Sequence, residues 1–264
     1  MRIARFAGPD GSVGFGVVDG LSPDGDPGGS TTVTPIVGHP FGSLEIAGSP
    51  LAYADVRILA PVLPSKIVAV GKNYAAHAAE MGGDVPAEPM IFLKPSTAVV
   101  GPGDAIELPE QSEQVEHEAE LAVVISRLCR EVPIRRVPEV ILGYTCANDV
   151  TARDLQKTDG QWGRAKGFDT FCPLGPWIDT DLDPADLAIT ARVNGELRQD
   201  GRTSDLVRGV DELVAWISNV MTLLPGDVIL TGTPAGVGPI VDGDSVSVSI
   251  SSLGTLTNRV VTRA

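Results

Sequence analysis

Glu116, Glu118 and Glu120 alternate through VEHEAELAVVI, Val115 to Ile125. On a strand, residues two apart share a face, so these carboxylates would point one way and His117, Ala119, Leu121 and Val123 the other. Like charges held that close, on a strand running into an apolar stretch, cost free energy unless something positive lies among them. The plain reading is an exposed strand face. A second acidic position argues for more. GYTCANDVTARDLQ reads as an apolar strand, Ile141 to Ala147, that ends in Asn148 and Asp149 and passes into a short helical turn. Asp149 could cap that helix; it also stands where a carboxylate can reach out from a rigid element. Two Glu at i and i+2 with an Asp from another strand supply hard oxygen ligands and no His or Cys. Such a set suits Mg²⁺ or Mn²⁺, and also Ca²⁺, rather than Zn²⁺.

Other polar groups could work beside such a centre. In NYAAHAAEM, His77 and Glu80 are three apart on one helical face and can form a hydrogen-bonded pair; without a site nearby this is a surface helix. Arg153 and Gln156 follow Asp149 at +4 and +7, so a helix would place them on its side. There they could hold the polar end of a substrate, Arg153 by pairing with a carboxylate. TGTPAGVGP is glycine-rich but lacks the Lys-Ser/Thr of a nucleotide loop, which excludes phosphate cradling.

The elements that must position these groups are mostly strands. Strands are expected at Ile67 to Val70, Met90 to Leu93, Leu121 to Ile125, Ile141 to Ala147, Ala188 to Val193, Val228 to Thr231 and Ser245 to Ile250. Helices are expected at Tyr74 to Met81, stopped by Gly82-Gly83, at Thr151 to Gln156, and at Val210 to Met221 with Leu213, Trp216, Ile217 and Val220 on one side. Residues 1–60, with a hairpin-like start and the loop LSPDGDPGGSTT, form a small β-rich unit, and residues 61–264 a larger one. Strands without regular βαβ alternation imply an α+β fold built on a curved or sandwiched sheet.

Composition narrows the function classes. The chain has 264 residues, 43% hydrophobic, with 30 glycines and 21 prolines, so it can bury a full core and turns often. A formal charge of −14 argues against nucleic acid or an anionic membrane surface as partner, and requires a local positive site for any anionic substrate. No secretory pattern opens the sequence and no apolar run reaches the roughly 18 residues of a membrane span, so a cytoplasmic protein is expected. Cys129, Cys146 and Cys172 show no CxxC spacing and read as reduced, structural thiols.

Taken in order, VGKNYAAHAAEMG, PMIFLKPSTAVVGPGDAI, EHEAELAVVI, GYTCANDVTARD, RAKGFDTFCPLGPW and PGDVILTGTPAGVGP resemble the fumarylacetoacetate hydrolase family, in its prokaryotic branch of acylpyruvases, oxaloacetate decarboxylases and hydroxyheptadienedioate isomerases. The resemblance runs from about Leu59 onward. It implies a β-rich mixed-sheet sandwich or roll, a homodimer, and a divalent metal on Glu118, Glu120 and Asp149. Glu116 then falls outside the pattern, as a rim or solvent residue whose replacement should be mild, and His117 faces away from the metal. The resemblance makes the His77 and Glu80 segment a lid that activates water, Lys166 the active-site lysine and Thr233 a contact to a substrate carboxylate. Arg153, Gln156 and Lys94 are counted with Thr233 as substrate-binding. For the dimer, the residues themselves offer only the apolar FDTFCPLGPWI, as easily core as contact surface.

The expected function is metal-dependent C–C hydrolysis of acylpyruvate-type 2,4-dioxo acids through a pyruvate enolate. Oxaloacetate decarboxylation and isomerisation of a dienol dioate are alternatives on the same site, because all pass through related enolates. A protein that binds metal and a small 2-oxo acid without turnover, as a sensor or scaffold, is the alternative from another class.

Overall fold

The computed structural model describes residues 1–263. Its largest sheet runs, in spatial order, through Glu45–Ile46, Thr32–Val37, Val13–Asp19, Arg2–Ala7, Cys172–Asp179, Ile141–Asn148, Ala119–Ile125, Val228–Leu230, Ile67–Gly71 and Met90–Lys94. The N-terminal strands therefore continue the main sheet: Arg2 pairs with Asp179 and Ile3 with Ile178. All residues of Cys172–Asp179 are buried, so the segment offered as a contact surface is interior sheet from Cys172 on, while Phe168 to Thr170 before it are partly exposed. Such a strand reads as an unbroken apolar run because both its faces are covered.

A second sheet, in the order Ala105–Leu108, Gly254–Thr262, Ser245–Ile250, Ala188–Val193, Glu196–Arg202, packs across the first. Leu121, Val123 and Ile125 meet Ile189, Val248, Ile250 and Leu256 between them, which makes the architecture an α+β sandwich with few helices. The helix Val210–Val220 closes the same core through Val210, Leu213, Val214 and Ile217, an i, i+3, i+4, i+7 face. Val220, expected on that face, is instead more than half exposed. No helix among the described residues is long and apolar enough to cross a membrane.

Two local expectations change. The acidic segment is two strands: Val115–His117 sits in a small sheet between Thr151–Ala152 and Gly238–Pro239, and Ala119–Ile125 sits in the main sheet. Glu118 is the junction, held by its N–H on Asn148 Oδ1 at 2.9 Å and by its carbonyl, which accepts from Asp149 N at 2.8 Å. The helix expected from Thr151 begins at Arg153 and runs to Asp159, because Thr151 pairs with Glu116 in the small sheet. Tertiary pairing overrides the local helical pattern there.

Cys129, Cys146 and Cys172 are free and buried, and burial pushes the Cys146 and Cys172 thiols up to about 12. Both are protonated and inert at neutral pH.

Candidate metal and enolate site

The strand junction and the strand end bring Glu118, Glu120 and Asp149 together. One oxygen from each lies within 4.8 Å of the others, and all three residues are buried. The positive charge that the sequence pattern demanded comes from three side chains. Lys94 Nζ donates to Asp149 Oδ1 at 2.5 Å; Lys166 Nζ donates to Asp149 Oδ2 at 2.6 Å and to Glu118 Oε2 at 2.8 Å. Arg153 donates to Glu118 Oε1 at 2.5 Å, to Glu116 Oε2 at 2.7 Å and to Gln156 Oε1 at 2.6 Å.

The corrections follow from this network. Glu116 is not a rim residue: it is only 6% exposed and ion-paired to Arg153. Arg153 is buried in the cavity wall, with its guanidinium paired to Glu116 and Glu118 of the protein itself. Lys94 is given to Asp149 and to the Val150 carbonyl, behind the cavity wall instead of in it. Lys166 stands on the short helix Gly163–Gly167, packed beside the strand Met90–Lys94, and its ammonium lies 5.0 Å from the centre of the Phe92 ring.

Four carboxylates face three cations in this buried cluster, and Glu120 is the one left without a cation; among the described residues it accepts only the Gly232 N–H, at 2.7 Å. Gly232 has φ +104°, and a Cβ there would lie 2.8 Å from the Asn73 Cβ, so this close approach requires glycine. Burial, then the charges of Asp149 and Glu118, push the Glu120 carboxyl well above its usual range. Burial also opposes the Glu118 charge, but Lys166 and Arg153 outweigh it and hold that carboxyl below its usual range. For Lys166, burial is outweighed by Asp149 and Glu118, and its ammonium is held above the usual lysine range. A cluster of hard oxygens with one uncompensated negative charge fits a divalent cation such as Mg²⁺ or Mn²⁺.

The three carboxylates line a cavity of about 50 Å³ with His77, Gln156, Lys166 and Thr233 in its wall. A small-molecule site is roughly 300 Å³ or more, so a substrate enters only if the wall moves. The helix Ala75–Glu80, capped at Met81 and followed by Gly82 at φ +72°, forms part of that wall through His77 and Met81. Its His77 Nδ1 lies 3.2 Å from Glu80 Oε2, and Glu80 Oε1 accepts from Gly236 N at 3.0 Å, latching the helix to the loop that carries Thr233. A larger cavity of about 630 Å³, lined by Arg5, Phe15, His39 and Phe41 among others, holds none of these carboxylates; size alone does not locate the chemistry.

Sequence reading missed Gln199, which sits in the polar strand Glu196–Arg202 yet has no exposed surface. Its orientation is unambiguous. Ala119 N donates to Oε1 at 2.9 Å, and Nε2 donates to the Pro234 carbonyl and to Thr233 Oγ1, both at 2.7 Å. His117 therefore donates from Nδ1 to Oε1, at 3.1 Å, on the far side from the carboxylate cluster. The Thr233 oxygen accepts from Gln199, so its own proton is free for an anion in the cavity. Gln199→Leu strands several buried polar groups and is expected to cost about 3 kcal/mol of stability, read by denaturant unfolding; a loss under about 1 kcal/mol would show that the groups find other partners.

Residues 66–261 match the family described as fumarylacetoacetate (FAA) hydrolase C-terminal, and residues 1–61 match Rv2993c-like, N-terminal. The chain is 57% identical to protein Rv2993c of Mycobacterium tuberculosis over 264 residues, covering 99% of this chain and 98% of that one. It is 40% identical to the mitochondrial oxaloacetate tautomerase Fahd2a of Rattus norvegicus over 289 aligned positions, covering 99% and 92%. The solved structure of 2-hydroxyhepta-2,4-diene-1,7-dioate isomerase from Mycobacterium marinum superposes with TM-score 0.92 at 54% identity, covering 100% and 99%. Fumarylpyruvate hydrolase from Pseudomonas aeruginosa, solved in complex with Mn²⁺ and pyruvate, superposes with TM-score 0.72 at 35% identity, covering 78% and 92%.

Proposed function

The chain belongs to the fumarylacetoacetate hydrolase family, and from that premise we propose that it is a divalent-metal-dependent enzyme cleaving acylpyruvate-type 2,4-dioxo acids through a pyruvate enolate. The observation that carries this reading is the placement of the Lys166 ammonium and the Glu118, Glu120 and Asp149 carboxylates in one buried cavity under the His77–Glu80 helix. Glu118, Glu120 and Asp149 would hold Mg²⁺ or Mn²⁺, which supplies Lewis-acid stabilisation of negative charge developing on the 2-oxo acid.

The remaining chemistry falls to the chain's own groups. Thr233 donates its free proton to the substrate carboxylate. Gln156, whose Oε1 is occupied by Arg153, has its NH₂ left to donate. Glu80 accepts from His77 Nδ1, which leaves His77 Nε2 to take a proton from water. The resulting hydroxide adds to the distal carbonyl. The C–C bond then breaks, its electron pair passes to the pyruvate fragment as enolate, and Lys166 stabilises the charge on the enolate oxygen. Protonation at C3 yields pyruvate, with the acyl fragment released as its acid.

Tautomerisation of oxaloacetate is the second reading, favoured by the 40% identity to an oxaloacetate tautomerase across nearly the full length of both chains. It passes through the same type of enolate and needs a proton transfer instead of a held water. Steady-state kinetics with Mg²⁺ test both, read as cleavage of acetylpyruvate and as keto–enol interconversion of oxaloacetate, with release of carbon dioxide from oxaloacetate followed separately. His77→Ala is expected to depress acetylpyruvate cleavage by roughly 10² to 10⁴, the contribution of a general base, and to affect oxaloacetate decarboxylation less, because loss of carbon dioxide needs no nucleophile. Equal losses would make His77 a shared positioning group. No turnover of any 2-oxo acid by the wild-type protein would leave the non-catalytic binding protein as the better reading.

A further inference from the structure

We infer that Lys72, at the edge of the carboxylate-lined cavity, is the receptor for a second, distal carboxylate, so that the site prefers 2-oxo dicarboxylates over 2-oxo monocarboxylates; this rests on the enolate reading above. The charge inventory of the wall leads there. Arg153 and Lys166 both face the cavity, but each is bound to carboxylates of the protein itself. Lys72 also lines the cavity, and among the described residues it has neither an ion-pair nor a hydrogen-bond partner. With four carboxylates against three cations in the cluster, a bound divalent ion leaves one positive charge, which the carboxylate at the 2-oxo end takes, so a second carboxylate needs a further cation. The Lys72 ammonium is the positive charge left over for it.

The backbone holds Lys72 in that position deliberately. Its φ is +57°, in the left-handed region that residues with a Cβ seldom adopt. The next residue clamps the turn: the Asn73 side chain donates to the Thr231 carbonyl at 2.8 Å and the Arg208 carbonyl at 3.0 Å, and accepts from Arg208 N at 3.0 Å. From there the Lys72 side chain reaches the end of the lid, where a Cβ on Gly83 would come within 2.6 Å of Nζ. A substrate whose 2-oxo end is held by Thr233 and the buried cluster would therefore extend its far end toward Lys72, beside the segment that must close over it. The far carboxylate is then paired in a partly desolvated position, where a charge-assisted contact discriminates strongly against a neutral end.

Binding of two unreactive acids of equal chain length separates this idea from the proposed reaction. Calorimetric titration of the Mg²⁺-supplemented protein with 2-oxoglutarate and with 2-oxovalerate gives the preference for a distal carboxylate. Wild-type protein is expected to favour 2-oxoglutarate, and Lys72→Gln to reduce that preference by roughly 10- to 100-fold, with Lys72→Arg restoring most of it. The ratio of kcat/KM for oxaloacetate to that for acetylpyruvate should fall in parallel. An unchanged 2-oxoglutarate preference in Lys72→Gln, or no preference in the wild-type protein, overturns the role of Lys72 and leaves the proposed function standing. Binding of neither acid by the wild-type protein overturns both.

Discussion

Asp149→Asn, Glu118→Gln and Glu120→Gln are each expected to abolish measurable Mg²⁺ or Mn²⁺ binding and to bring turnover to background. Hard divalent ions bind through charge and through several oxygens at once, and each substitution removes one of three anionic ligands clustered within 4.8 Å while keeping side-chain volume. The same variants should diverge in stability. Asp149 neutralises both Lys94 and Lys166, so Asp149→Asn leaves buried ammonium groups short of a partner and should destabilise the fold by about 3 kcal/mol. Glu120 has no cation partner, and its carboxyl is held above its usual range, first by burial and then by Asp149 and Glu118. The folded state therefore holds a proton on Glu120 more tightly than the unfolded state does. Its ionisation costs stability, and the metal-free protein should become less stable as pH rises above the ordinary carboxylate range. Glu120→Gln removes that cost, so it should raise the melting temperature of the metal-free protein at pH 7 while eliminating metal binding. Calorimetric titration together with thermal melts checks both signs. Undiminished Mg²⁺ affinity in the Asp149 variant would remove that residue from the site, and a lower melting temperature for Glu120→Gln would contradict the electrostatic account. Glu116→Ala, mild on sequence grounds, should instead cost about 3 kcal/mol, because it leaves Arg153 buried with one of its two carboxylate partners gone.

Lys166→Met is expected to reduce kcat for acetylpyruvate and oxaloacetate alike, by roughly 10² to 10³, the scale of a preorganised group aimed at developing negative charge. Lys166 is only 2% exposed, rests over Phe92 and reaches Glu118 and Asp149 with one ammonium. Charge stabilised in such a dry site is worth far more than at a surface. Hydrolysis and decarboxylation share the enolate, so the loss should not distinguish them, in contrast to His77→Ala. Removing the ammonium also removes a competitor for the metal ligands, so Mg²⁺ affinity should hold or rise as kcat falls. A variant retaining more than about a tenth of wild-type kcat on both substrates would exclude Lys166 from charge stabilisation. A parallel collapse of Mg²⁺ affinity would mean that the lysine chiefly positions Glu118 and Asp149.

The sequence by itself determined the candidate carboxylate set and the class of fold. Alternating Glu118 and Glu120, and an Asp149 at the end of an apolar strand, are readable because strand periodicity and hydropathy are local properties. The same locality makes Ile67–Gly71, Ile141–Asn148 and Ser245–Ile250 legible as strands, and His77 with Glu80 legible as a helical pair. What only the tertiary structure decided is how the acidic cluster is paid for in charge. Arg153 meets Glu118 from 35 positions away, Lys166 from 48, and Lys94 meets Asp149 from 55. Gln199, 34 positions from Thr233, sets the direction of that hydroxyl from within a polar strand that carries no mark of burial. Local pattern also misplaced Glu116, because the burial of a charged side chain depends on whether a distant partner reaches it, not on its neighbours in the chain. Ion pairs have no period to read, and they form between whichever side chains the packing of the two sheets delivers to one point.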